Sequence, residues 1–143
     1  MRPPAPLIVV GNEKGGSGKT TVAIHLVAGL AAAGLRVGAI DLDLRQRSFS
    51  HFFANRAAWG ERQKRDYPSP MVMTPNASGD DAAAGLATLA NEISRAADVI
   101  VVDCPGADTE LGRAAHAGAA VIVTPLNDSF VDFALLEIGR AHV

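Results

Sequence analysis

The side chains of this 143-residue chain that could do chemistry together are two lysines, two threonines and three aspartates. Lys14 and Lys19 lie in the segment Gly11–Asn12–Glu13–Lys14–Gly15–Gly16–Ser17–Gly18–Lys19–Thr20–Thr21. Gly15, Gly16 and Gly18 have no Cβ, so the backbone there can curl and turn its N–H groups inward onto an anion. A helix opening near Lys19 adds the positive end of its dipole. In such a loop Lys19 reaches the β- and γ-phosphates and the Thr20 hydroxyl ligates Mg²⁺, with Ser17 and Thr21 completing the cradle. The plain spacing G-x-x-x-x-G-K-[ST] is not met, because Glu13 stands where its first glycine belongs. The additional Lys14, five residues ahead of Lys19, marks the segment as a variant.

The carboxylates supply what a phosphate loop lacks. Asp103 ends the apolar run Val99–Ile100–Val101–Val102, where it can orient Mg²⁺ directly or through water. The Pro105–Gly106 turn beyond it suits a switch that senses a γ-phosphate. Asp41 and Asp43 close a second apolar run, and alternation along a strand lets both face one end region. One of them could support the metal shell while the other positions an attacking water. Ordinary strand-end turn carboxylates remain open as a reading for both. A flexible glycine turn would account for the glycines alone, but not for a strand before them, a helix after them and the Gly18–Lys19–Thr20 core.

These residues need elements to hold them. Leu7–Val10 reads as a buried strand, Thr20–Leu35 as a helix stopped by Gly34, and Val37–Ile40 as a second strand. Ser48–Trp59 reads as a helix carrying Phe49, Phe52 and Phe53, followed by a polar stretch, Gly60–Pro70. Met71–Met73 predicts a short strand, Pro75–Asp81 an exposed turn, and Ala82–Ala97 a helix with Leu86, Leu89 and Ile93 on one side. Val99–Val102 is a strand, Leu111–Ala117 a helix, Ala120–Val123 a strand, and Phe130–Leu136 begins one more helix. Strands alternating with helices imply a parallel sheet with right-handed crossovers, whose ligands bind beyond the carboxyl ends of the strands. All the motifs fall there.

Composition excludes several classes. Thirteen basic residues against 15 acidic ones make no global case for nucleic acid, although a local patch can exist. No run approaches the ~20 apolar residues of a membrane span, and nothing resembles a signal peptide. The single Cys104 cannot form an internal disulfide, which fits a reducing cytoplasm, and it reads as a packed, inert thiol. His25, His51, His116 and His142 lack metal-ligand spacing.

Three strings in order, Lys14–Gly15–Gly16–Ser17–Gly18–Lys19–Thr20–Thr21, Ile40–Asp41–Leu42–Asp43 and Val102–Asp103–Cys104–Pro105–Gly106, resemble the deviant-Walker ATPases of the ParA/MinD superfamily. Within it, IDLDLRQR and TPLNDSFVDF (Thr124–Phe133) are most similar to the MipZ branch, which positions the division site in alphaproteobacteria. The resemblance implies an α/β, three-layer P-loop NTPase fold with a parallel central sheet, of which the C-terminal part is missing. It implies ATP and Mg²⁺ as cofactors, catalytic roles for Lys14, Lys19 and Asp43, and metal roles for Thr20, Asp41 and Asp103. Lys14 would reach across an ATP-bound homodimer, and Asp43 and Asp103 would match the switch I and switch II aspartates. A ParB-like adaptor, FtsZ and non-specific DNA are the implied partners, the last through the missing part, in a cytoplasmic protein able to associate with the nucleoid. A ParA-type partition role is the runner-up, and a nucleotide-binding module without turnover is a further alternative. The iron-protein branch would need paired cysteines, and a MinD-like membrane role would need an amphipathic C-terminal helix that is not visible.

Residues 1–136 read as the N-terminal part of such a domain, and residues 137–143 leave the family pattern. Glu137–Ile138–Gly139–Arg140–Ala141–His142–Val143 can be written GAG ATC GGA AGA GCA CAC GTC, which looks like a common sequencing-library adapter. The expectation is a non-native tail, against a natural helix end with Gly139 as its stop. Resequencing the locus decides between them.

Overall fold

Short β-branched runs flanked by turns make the strands, and alanine-rich stretches of helical period make the helices. The computed structural model describes residues 3–11, 18–76 and 81–126. In chain order these form β1 (Leu7–Val10), α1 (Lys19–Ala32), β2 (Val37–Asp41), α2 (Ser48–Arg62), β3 (Met71–Met73), α3 (Ala82–Ser94), β4 (Val99–Asp103), α4 (Glu110–Gly118) and β5 (Val121–Val123). Lys14, Gly15, Gly16 and Ser17, the helix expected at Phe130–Leu136 and the tail 137–143 lie outside the described residues.

The strands form one sheet in the order β3-β2-β4-β1-β5, with every neighbouring pair parallel. Alternation along the strands divides the core between the two faces. Leu7, Val9, Ile40, Ile100 and Val102 meet Leu86, Leu89 and Ile93 of α3 and Ala115 of α4. Val10, Val37, Ala39, Val99 and Val101 meet Ala23 and Val27 of α1 and Phe49 and Phe53 of α2. Two helical layers thus sandwich the sheet, giving the expected three-layer α/β architecture. Fully buried side chains such as Ile93, Val27 and Phe49 each contribute about 2 kcal/mol of hydrophobic stabilisation.

The helix ends follow local chemistry. At the end of α1, Gly34 takes φ 92°, and the Leu35 N–H donates to Leu30 O at 3.2 Å, a left-handed stop as its sequence position predicts. Asp81 caps α3 by accepting from the Ala84 N–H (3.0 Å), and Thr109 caps α4 by accepting from the Gly112 N–H (3.0 Å). Two expectations are corrected. Helix α2 does not end before Gly60 but runs on to Arg62, and Gly60 within it is a contact point: a Cβ there would lie 2.9 Å from the Tyr67 ring. Pro75 is buried rather than part of an exposed turn.

Candidate functional site

Strand register alone assembles the centre of the site. Val10 pairs with Asp103, and Asp41 pairs with Asp103 from the other side. The carboxyl ends of β1, β4 and β2 therefore stand side by side, with the expected phosphate loop following β1, an interior strand between β4 and β5. Backbone hydrogen bonds carry the pairing past the strand ends: Leu42 N–H to Asp103 O (2.9 Å), Cys104 N–H to Val10 O (3.1 Å) and Gly11 N–H to Val123 O (3.0 Å). Gly11, the first residue of the loop, lies beneath His116 of α4. A Cβ on it would sit 2.8 Å from His116 Cε1, so a side chain here would displace the His116 ring. The His116 Nδ1–H donates to Gly112 O (2.7 Å), which holds the ring in place.

Helix α1 opens at Lys19 behind Gly18, which takes φ 82° and has no side chain to cap the helix. No acidic residue lies in its first turn, so the positive end of the helix faces the site uncompensated by a carboxylate of its own. Lys19 is 6% exposed. Burial pushes its ammonium below the usual lysine range, opposed by the pull of Asp103, Cys104 and Asp43. The Thr20 hydroxyl donates to Asp103 Oδ2 at 2.8 Å. Asp103 is 1% exposed, and among the described residues its Oδ1 is the buried side-chain oxygen without a hydrogen-bond partner. Burial pushes the Asp103 carboxyl up to about 6; the Thr20 hydroxyl pulls it down, Asp41 raises it, Lys19 lowers it and Asp43 raises it. A buried carboxylate with one oxygen on a threonine hydroxyl and the other unpaired is what a hard divalent cation complements.

The two switch I candidates are placed differently. Asp41 is fully buried, and both its oxygens are engaged: Oδ1 accepts the Asp43 N–H (3.1 Å), and Oδ2 accepts the Ser50 N–H (3.0 Å) and hydroxyl (2.8 Å). Arg47, the residue before α2, offers no side-chain cap, so Asp41 reaches across to satisfy the first turn of that helix. Asp43 lies half-buried beyond the strand, where its Oδ1 accepts the Gln46 N–H (3.2 Å) and fixes the turn into α2. The structure thus gathers Lys19, Thr20, Asp41, Asp43 and Asp103 at one end of the sheet, with Thr21 in the first turn of α1. Sequence reasoning missed Ser50 and His116, and a single sequence holds no spacing signal for either. Cys104 is buried in the core, and burial first, then the Asp103 charge, pushes its thiol up to about 12 against the pull of Lys19. It is packed as expected.

This fold and this strand-end arrangement define a P-loop NTPase of the three-layer α/β type. A family profile described as "ATPase MipZ" matches residues 6–141. The chain belongs to that family, within the ParA/MinD superfamily. The chromosome-partitioning ATPase Soj of Thermus thermophilus is 31% identical over 137 residues, which is 86% of this chain and 55% of Soj. Among solved structures, cobyrinic acid a,c-diamide synthase of Mycobacterium smegmatis, with bound ADP and magnesium, superposes with a TM-score of 0.69 at 20% identity. That similarity covers 95% of this chain and 65% of the other. The pNOB8 ParA bound to non-specific DNA has a TM-score of 0.67 at 20% identity, over 95% of this chain and 58% of that one. The chain spans about half the length of the curated relatives that match it along most of its length, 42% and 55%. Among the described residues no helix is long and apolar enough to cross a membrane.

Proposed function

We propose that this chain holds Mg–ATP at the carboxyl end of its sheet and that the complete protein is an ATP-dependent dimerisation switch. The observation that carries the proposal is the Thr20–Asp103 contact with Asp103 Oδ1 buried and unpaired beside it. Thr20 and Asp103 would hold the Mg²⁺, which when bound neutralises phosphate charge. Asp41 supports that shell from behind, by fixing the Asp43 amide and the start of α2. Lys19 binds the β- and γ-phosphates, with Gly15, Gly16, Ser17, Gly18, Thr20 and Thr21 lining the loop. Asp43 positions the attacking water. Lys14 reaches the nucleotide of a second subunit, so that occupancy and assembly are linked.

Family membership supports a role in positioning division or chromosome-partition machinery, with a ParB-like adaptor and FtsZ as partners and the cytoplasm, close to the nucleoid, as the compartment. The ParA solved on non-specific DNA supports DNA as a further partner, bound through sequence beyond this chain. Mg-dependent ATP turnover, measured on the 143-residue chain and on the complete reading frame, tests the proposal. Turnover in the complete protein that Asp43→Ala abolishes supports it. Nucleotide binding without turnover in both would leave a binding module in its place.

A further inference from the structure

The residues that follow switch I form a surface the nucleotide site does not use. Between residues 45 and 67 lie Arg45, Arg47, Arg56, Arg62, Lys64 and Arg65, six of the chain's 13 basic residues, against two acids, Glu61 and Asp66. The chain as a whole carries a net charge of −2, so this stretch is a positive island on an otherwise acidic protein. Among the described residues, no ion pair joins any of the six to a carboxylate.

The island has an apolar centre. Phe52 and Trp59 of α2 are 42% and 46% exposed, although large aromatics usually withdraw from water. Phe52, Arg56 and Trp59 fall at i, i+4 and i+7, on one stripe of the helix. The adjoining face of α2 is spent on the core through Phe49 and Phe53, and Phe52 packs edge-on against Phe53 with ring centroids 5.1 Å apart. The stripe is also rigid. Trp59 stacks on Tyr67 with ring centroids 5.5 Å apart, Arg56 lies over the Tyr67 ring at 5.0 Å, and an Arg56 N–H donates to Pro68 O at 2.8 Å. Trp, Tyr and Arg held in place, with the exposed Arg62, Lys64 and Arg65 directly after Trp59 in the chain, have the make-up of a binding hot spot.

We infer that this face of α2 docks an acidic polypeptide segment that also carries apolar side chains. Charge complementarity requires a negative partner, and Phe52 and Trp59 require one with apolar groups to cover them. A nucleic acid fits less well. The face is the side of a helix, Tyr67 already holds Trp59 and Arg56, and Glu61 and Asp66 would repel a uniform polyphosphate. An anionic lipid surface meets the same two acids with an unbroken plane of charge, whereas a polypeptide can set apolar residues opposite them. The inference is independent of the nucleotide reading, since a chain unable to bind ATP would still present this face.

Trp59 is the chain's only tryptophan, so its emission reports on the face directly. The full chain is titrated with the random copolymer poly(Glu,Tyr), exciting at the red edge where tyrosine does not absorb. Parallel titrations use poly-glutamate, duplex DNA and phosphatidylglycerol vesicles. The expected result is a saturable blue shift with the copolymer, weakened roughly tenfold both by the rim variant Arg62→Glu/Arg65→Glu and by Phe52→Ser. Melting curves of the variants confirm folding, and the rim pair, being exposed, keeps the test decisive if Phe52→Ser misfolds. The inference is overturned by no shift with the copolymer or by an equal response to poly-glutamate. A shift with DNA or vesicles alone, or one produced by raising the protein concentration without any probe, also overturns it.

Discussion

Replacing Asp103 with asparagine should stabilise the nucleotide-free chain at neutral pH while removing its use for magnesium. Asp103 titrates near 6 against an ordinary value of 3.8. Two units at about 1.4 kcal/mol each make ionisation of this group cost the folded chain about 3 kcal/mol. The sign follows from the folded pKa lying above the unfolded one. The native state binds this proton more tightly, so the stabilisation is complete below pH 4 and is lost as pH rises through 6. The asparagine variant lacks that loss. Its amide brings a cost of its own where Oδ1 was unpaired, but that cost does not change with pH, so the readout is the difference between two pH values. Urea unfolding of both proteins near pH 4 and pH 7.5 should show the variant gaining about 3 kcal/mol on the wild type across that interval, or roughly 10 °C in melting temperature. Parallel pH profiles for the two proteins would refute the argument, because Asp103 would then carry no burial penalty for a cation to relieve.

Other outcomes follow from the same geometry. Asp43→Ala should abolish turnover in the complete protein while ATP binding persists, as read by a coupled phosphate assay beside equilibrium binding; unchanged turnover removes Asp43 from its role. Asp41→Ala strands the Asp43 and Ser50 amides and should cost about 3 kcal/mol in urea unfolding, whereas a loss below about 1 kcal/mol would show that the α2 turn does not depend on it. Lys64 sits at φ 52° just past the end of α2, so Lys64→Gly should stabilise by about 1 kcal/mol, while Gly34→Ala at φ 92° should destabilise by a similar amount. Cys104 should resist a thiol reagent in the native chain and react on unfolding; rapid native labelling would contradict its burial.

How much was legible in the sequence depended on whether an interaction is local. The strands β1, β2 and β4 are β-branched runs and were readable nearly to the residue. So were Gly18–Lys19–Thr20 and Asp103, because their placement follows from a strand ending or a helix beginning beside them. Asp41 was legible as a strand-end carboxylate but not as the cap of α2. Its partner Ser50 is brought to it by the packing of Phe49 and Phe53 against the sheet, which no local pattern encodes. Gly60 opens a polar stretch in the sequence, whereas in the structure it lies inside α2 against the Tyr67 ring returning from the following loop. Gly11 likewise depends on His116, which arrives from the far end of the described chain.

The proposed magnesium-dependent nucleotide site is built around Thr20 and Asp103. Calorimetric titration of ATP into the chain, with Mg²⁺ and with a chelator in its place, tests it most directly, using Thr20→Val as the near-isosteric control. The expected result is saturable binding that Mg²⁺ strengthens at least about tenfold, as loss of a metal-bridged phosphate contact implies, with that increment gone in Thr20→Val. Binding that is indifferent to Mg²⁺, or an increment that survives the substitution, would contradict it.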